Sequence, residues 1–343
     1  MLSMGKIKVL IVDDSLIFRE VLARGISSDP SIEVVAKAFD PFDARDKILE
    51  FDPDVMTCDI EMPKMNGIEF IKRLLPQYPL PVVVVSSVSM AVFEAMKAGA
   101  VDFVTKPNVQ SVQDVEGFIH ELIQKIKIAA RAKIGLVGQS HTKVVEEGAV
   151  LKEKLIAIGA STGGTEAVFH ILKMLTPKMP GIVVTQHIPP IFSRLFAERL
   201  NNSTQLRVKE AQSGDYVDQG CALIAPGGKH MRIKRAGDRF RVECFDGEKV
   251  NGHCPSIDIL FESMAKEVGP GAIGVILTGM GYDGAKGLLA MRRKGALTLG
   301  QDEKSSVVYG MPKVAFEIGA VERQVPLETM AQTLVNLLRK KNG

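Results

Sequence analysis

Three things are scarce in this 343-residue chain: net charge, long apolar runs and paired cysteines. Its 43 basic residues are balanced by 40 acidic ones, for a net charge of +3. A dedicated nucleic-acid binder carries a clear basic excess, so no nucleic-acid partner is expected. Apolar stretches such as Pro81 to Val85 have strand length. They fall far short of the roughly 20 residues a membrane-spanning helix needs, so no membrane insertion is expected. The opening MLSMGKIKVLIVDDS meets two aspartates directly after a short apolar run, where a secretion signal would need a longer one. The cysteines (Cys58, Cys221, Cys244, Cys254) show no CxxC spacing, and His253 beside Cys254 is not a zinc pattern on its own. They read as reduced thiols, and a cytoplasmic location is expected.

What is present is a pattern of two α/β halves. The length predicts about two domains. From residue 5 to 127, short apolar runs (Lys8–Val12, Ile32–Ala36, Val55–Cys58, Val82–Val85, Val101–Val104) alternate with amphipathic stretches such as Leu16–Ser27. Near-continuous apolar strands alternating with helices predict a five-stranded parallel sheet covered on both faces, of the flavodoxin-like kind. From 128 to 153 the pattern dissolves into a linker, helical at its start and then irregular. From 154 to 343 a second doubly wound α/β domain is expected. Its apolar runs are Leu155–Ile158, Gly181–Thr185, Ala222–Ile224 and Ala272–Leu277, separated by glycine turns.

In the first half, Asp13 and Asp14 follow KVLIV and Asp59 follows VMTC. Ligand sites in open parallel sheets form outside the carboxyl ends of the strands, so these carboxylates converge, and they suit a hard cation such as Mg²⁺. Ser86 ends VVVV and Lys106 follows VDFVT. A hydroxyl and an ammonium there can hold phosphoryl oxygens. Any one of these alone reads as a helix cap or a solvated loop residue, but four strand ends in order do not.

These motifs (VLIVDDS, CDIEMPKMNG, VVSS, FVTKP) resemble the response-regulator receiver domain along its length. The resemblance implies that Asp59 accepts a phosphoryl group from a histidine kinase. It also implies that Asp13, Asp14, Asp59 and the Glu61 carbonyl bind Mg²⁺, and that Ser86 and Lys106 sense the phosphate with Phe103 as the aromatic switch.

The second half opens with KLIAIGASTGGTEAVFHIL, in which Gly159 to Gly163 fits the G-x-S-x-G nucleophile elbow with Ser161 at its centre. A dinucleotide turn or a P-loop would need glycine or lysine positions that are missing. A serine nucleophile needs a base. His187, at the end of GIVVTQ on the neighbouring strand, is the best placed. His120 and His170 lie in helical stretches and His141 in the linker, while His230 and His253, in glycine-containing loops, stay open as alternatives. Asp283, in the tight loop after AIGVILT, is the candidate orienting carboxylate. Asp215, Asp218 and Asp258 are weaker, because no apolar strand runs into them. The order Ser, His, Asp differs from the usual α/β-hydrolase order.

IGASTGG, VTQHIPP, APGGKH, GHCPSID and LTGMGYDGAKG are similar to the CheB-type methylesterase domain of bacterial chemotaxis, and the receiver half matches the same family. The resemblance implies a Ser161–His187–Asp283 triad with oxyanion donors near Thr162 and Met280, and no cofactor for ester hydrolysis. It implies glutamate methyl esters of methyl-accepting chemotaxis receptors as substrate, glutamine deamidation in addition, and a CheA-type kinase as phosphodonor. A basic residue is expected where Cys254 stands. The unphosphorylated receiver is expected to cover the catalytic cleft, and a monomer is expected. The rival readings are a receiver fused to a non-catalytic output module, a hydrolase of small esters, and service to a pathway other than chemotaxis.

Overall fold

The structure, a computed structural model, describes residues 5–87, 90–107, 112–134 and 154–339. It divides into two compact units, Met1–Leu136 and Val137–Gly343. Most of the expected linker, from 135 to 153, lies outside the described residues.

In the first unit the elements run β1 (Ile7–Val12), α1 (Leu16–Ile26), β2 (Ile32–Ala38), α2 (Pro41–Phe51), β3 (Val55–Asp59), α3 (Gly67–Leu74), β4 (Val82–Ser86), α4 (Ala91–Lys97), β5 (Asp102–Thr105) and α5 (Val112–Ala129). Polar side chains start α1, α2 and α3. The Ser15 hydroxyl accepts from Phe18 N–H, the Asp40 carboxylate from Phe42 and Asp43 N–H, and the Asn66 amide oxygen from Glu69 N–H. Each satisfies donors that a helix start leaves open. The sheet order is β2-β1-β3-β4-β5 and every pairing is parallel. Residues of β3 and β4 are buried throughout, as expected of strands covered on both faces. The chain changes direction across the sheet between β1 and β3, so the carboxyl ends of those two strands frame a crevice.

The second unit contains β6 (Leu155–Ala160), α6 (Gly164–Lys173), β7 (Ile182–Gln186), α7 (Phe192–Ser203), β8 (Arg207–Glu210), β9 (Cys221–Ile224), β10 (His230–Ala236), β11 (Arg239–Phe245), α8 (Ile257–Glu267), β12 (Ala272–Ile276), α9 (Ala285–Arg293), β13 (Leu297–Gln301), α10 (Met311–Glu317), β14 (Arg323–Val325) and α11 (Leu327–Leu338). Seven strands form a parallel sheet in the order β14-β13-β12-β6-β7-β9-β8. From β6 the chain winds outward in both directions, so the switch point lies at β12-β6-β7. Strands β10 and β11 form a separate antiparallel hairpin. Its inward residues Met231, Ile233 and Val242 join a core with Leu260, Phe261 and Met264 of α8. His230, expected in a loop, begins β10 and is buried. No helix among the described residues is long and apolar enough to cross a membrane.

Candidate functional site

In the first unit, carboxylate oxygens of Asp13, Asp14 and Asp59 lie within 4.8 Å of one another. The apolar runs of β1 and β3 end at this crevice, which is why residues 46 apart in sequence meet. Lys106 Nζ reaches across to Asp13 Oδ2 at 2.7 Å and Asp59 Oδ2 at 2.6 Å. Burial pushes the Asp59 carboxyl up from its ordinary value; the Lys106 ammonium opposes this and the Asp13 charge adds to it. Burial alone would lower the Lys106 ammonium, but hydrogen bonds and charge from Asp13 and Asp59 carry it upward. The cluster therefore holds excess negative charge around a single close ammonium, a setting that favours an added hard cation. Ser86 is buried at the end of β4, and its carbonyl accepts from Lys106 N–H at 2.9 Å. Phe103 is buried, edge-on to Phe93 at 6.4 Å. Glu61 is exposed, and its N–H donates to Asp59 Oδ1 at 3.3 Å.

In the second unit, Ser161, His187 and Asp283 follow the adjacent strands β6, β7 and β12 at the switch point. Ser161 sits on a turn closed by its own carbonyl. That oxygen accepts from Gly164 N–H at 2.7 Å and from Gln186 Nε2 at 2.8 Å. Gly163 adopts φ of +75°, a conformation L side chains resist. The Ser161 N–H is committed to Thr278 O at 3.0 Å. Among the described residues, Met280 N–H has no backbone acceptor. Thr162 is buried, and its carbonyl accepts from Thr278 Oγ1 at 3.0 Å.

Asp283 is almost fully buried and surrounded by donors. Oδ1 accepts from Ser256 Oγ at 2.7 Å, Asn251 Nδ2 at 2.8 Å and Asp258 N–H at 3.3 Å. Oδ2 accepts from Ile257 N–H at 2.7 Å and His187 Nε2 at 2.9 Å. The backbone donors come from the N-terminus of α8, whose dipole favours an anion. Burial raises the Asp283 carboxyl, but the His187, Asn251 and Ile257 donors outweigh it and hold the carboxyl well below the usual range. An ionised carboxylate only accepts hydrogen bonds, so Nε2 carries the proton of the neutral imidazole. Nδ1 then presents a lone pair, and this buried atom has no hydrogen-bond partner among the described residues.

Of the other candidates, His253 stacks on His187 and Asp258 shares the Asn251 amide with Asp283, while the rest do not join the site. His120 is on α5 and His170 on α6, and His141 lies outside the described residues. His230 Nδ1 accepts from Ser256 N–H at 3.2 Å, one link from Asp283. Asp215 and Asp218 pair with Lys209 and Arg239. Gln186, Asn251 and Ser256 were not singled out from sequence. The first could have been found as the polar residue ending an apolar strand next to His187. The other two come from loops with no periodic signal.

Residues 156–334 match the family model "CheB methylesterase", and residues 9–114 match "Response regulator receiver domain". The chain is 56% identical over 337 residues, 98% of each chain, to a protein-glutamate methylesterase/protein-glutamine glutaminase of Syntrophomonas wolfei. It is 46% identical over 338 residues, 97% of each chain, to a relative of the same name from Salmonella typhi. The solved methylesterase catalytic domain of Thermotoga maritima CheB superposes with a TM-score of 0.53 at 34% identity, covering 54% of this chain and 98% of that one.

Proposed function

The chain belongs to the CheB methylesterase family, and from that membership we propose that it hydrolyses glutamate methyl esters of chemoreceptors through Ser161, His187 and Asp283. Deamidation of receptor glutamines is a second reaction of the same serine. The observation that carries the reading is the division of labour on the His187 ring. Nε2 is engaged by a buried carboxylate, and Nδ1 is left unclaimed at the strand end next to the Ser161 turn.

In this mechanism His187 Nδ1 takes the Ser161 hydroxyl proton as Oγ attacks the ester carbonyl. Asp283 holds the tautomer and stabilises the imidazolium. The oxyanion is met by the backbone N–H groups of Thr162 and Met280, since the Ser161 N–H is already committed. Each such donor contributes about 3 kcal/mol to the barrier reduction. The imidazolium returns its proton to the departing methoxy group, methanol leaves, and a glutamyl ester of Ser161 remains. Water attacks that ester and gives a proton to Nδ1. Collapse of the second tetrahedral intermediate frees the glutamate and restores the serine hydroxyl. With a glutamine substrate the leaving group is ammonia.

The receiver supplies control. Asp59 accepts a phosphoryl group from a histidine kinase of the CheA type. Mg²⁺, held by Asp13, Asp14, Asp59 and the Glu61 carbonyl, would neutralise charge on the transferring group. Lys106 and Ser86 then hold the acyl phosphate, with Phe103 as the aromatic switch. A small phosphodonor with Mg²⁺ is expected to raise methanol release from methylated receptor membranes several-fold, and Asp59→Asn is expected to remove that response while keeping basal release. An equal response in Asp59→Asn would refute the assignment.

A further inference from the structure

The loop between β11 and α8 supplies Asn251 and Ser256 as donors to Asp283. We propose that its Asn251–Gly252–His253 turn is the positioning device of the triad, with Asn251 acting through Asp283 and His253 through His187. The proposal rests on the triad reading above.

The turn is stiff. Asn251 and Gly252 have φ of +52° and +84°. Val250 and His253 exchange both backbone hydrogen bonds, each at 3.0 Å. Two central residues at positive φ inside such a closed pair are the conformation that Asn-Gly favours in two-residue hairpins. The backbone therefore fixes the Cα–Cβ directions of Asn251 within the turn and of His253 beside it.

Asn251 sits between two carboxylates. Its Nδ2 donates to Asp283 Oδ1 and to Asp258 Oδ2, both at 2.8 Å. Asp283 is 1% exposed and Asp258 4%. Burial raises the Asp258 carboxyl, Gly287 N–H lowers it, and the Asp283 charge raises it further. One primary amide satisfies both groups because a single nitrogen offers two N–H donors. Asp258 Oδ1 also accepts from Gly287 N–H of α9 at 2.7 Å. Asn251 thus ties the triad acid to the α8–α9 framework.

His253 holds the other partner. Its ring stacks on that of His187 at 3.7 Å between centroids and 9° between planes. His187 Nδ1 has no hydrogen-bond partner among the described residues. The hydrogen bond to Asp283 and this flat contact both hold the ring orientation. A ring turned over about Cβ–Cγ would put Cε1 in the place of Nε2 and Cδ2 in the place of Nδ1, and so lose both the Asp283 bond and the lone pair beside the Ser161 turn.

The test uses the full-length chain and two readouts: methanol release from methylated receptor membranes, and the rate at which a fluorophosphonate probe labels Ser161. Asn251→Gly keeps the positive φ and deletes the amide. His253→Ala deletes the stack, and His253→Phe keeps a flat ring. Asn251→Gly and His253→Ala are each expected to lower kcat and the labelling rate about tenfold with KM unchanged, while His253→Phe stays within about threefold of the wild type. Asn251→Asp, which sets a third carboxylate against two, is expected to fall below Asn251→Gly. Wild-type labelling rates in Asn251→Gly and His253→Ala overturn the proposal. So does a His253→Phe as slow as His253→Ala at equal melting temperature, because the flat contact is then not what His253 supplies. A wild-type protein that the probe does not label at all removes the triad reading itself, which separates the two failures.

Discussion

Asp283→Asn is expected to lower kcat about 10⁴-fold with KM little changed. An asparagine fills the same space, yet the site presents five donors to this side chain: Asn251, Ser256, Ile257, Asp258 and His187. An amide has one acceptor oxygen. Its NH₂ group must face donors on one side, and His187 is driven to the tautomer that places a proton on Nδ1. Stability falls as well, because each buried donor left unmet costs about 1–3 kcal/mol. The pH dependence has a defined sign. The wild-type carboxyl is held below its ordinary value in the folded state. Its contribution is therefore fully present above about pH 4, the unfolded value, and is lost as pH falls through the folded one. The stability gap between wild type and Asp283→Asn is expected to narrow on acidification. Less than a tenfold loss of kcat would remove Asp283 from the triad.

The second large effect belongs to the receiver. Gly67, the first residue of α3, has no room for a side chain: a Cβ there would lie 2.1 Å from Asp59 O and 3.1 Å from Ile60 Cα. Both are backbone atoms, which cannot rotate away. Gly67→Ala must therefore displace either the helix start or the strand end that carries Asp59, the proposed phosphoacceptor. A destabilisation of about 3 kcal/mol is expected, seen as a fall of roughly 10 °C in the receiver's melting transition. Phosphorylation of Asp59 by a small phosphodonor is expected to slow in parallel. An unchanged melting transition would show that the loop from Glu61 to Asn66 yields more easily than its contacts indicate.

The parts of this molecule that could be read from sequence share one physical feature: an apolar run that stops at a polar side chain. Asp13, Asp59, Ser86 and Lys106 mark such stops in the first sheet, and His187 does so in the second. Ser161 was marked by its glycine-flanked turn, and Asp283 by the glycine-rich loop after β12. The parallel-sheet geometry then brings strand ends together. Elements lacking that contrast were not legible. Strand β8 reads Arg-Val-Lys-Glu, with a single apolar residue at the sheet edge. Strand β14 is three residues long. In the β10–β11 hairpin, Met231, Ile233 and Val242 alternate with Arg232, Lys234 and Arg241, and the frequent cations obscured the alternation. The supports of the triad were hidden for a different reason. Asn251 and Ser256 reach Asp283 through turn geometry, which no periodicity encodes, and His253, visible in sequence only as one histidine among several, meets His187 from the same loop. Asp258 ranked low as a triad acid because no strand precedes it. It lies instead one amide away from Asp283.

The account stands on Ser161 as the nucleophile for glutamyl ester hydrolysis. The most direct test is methanol release from methylated chemoreceptor membranes by the wild type and by Ser161→Ala, each with a small phosphodonor and Mg²⁺. The account predicts release by the wild type and none above background from Ser161→Ala; undiminished release from Ser161→Ala would contradict it.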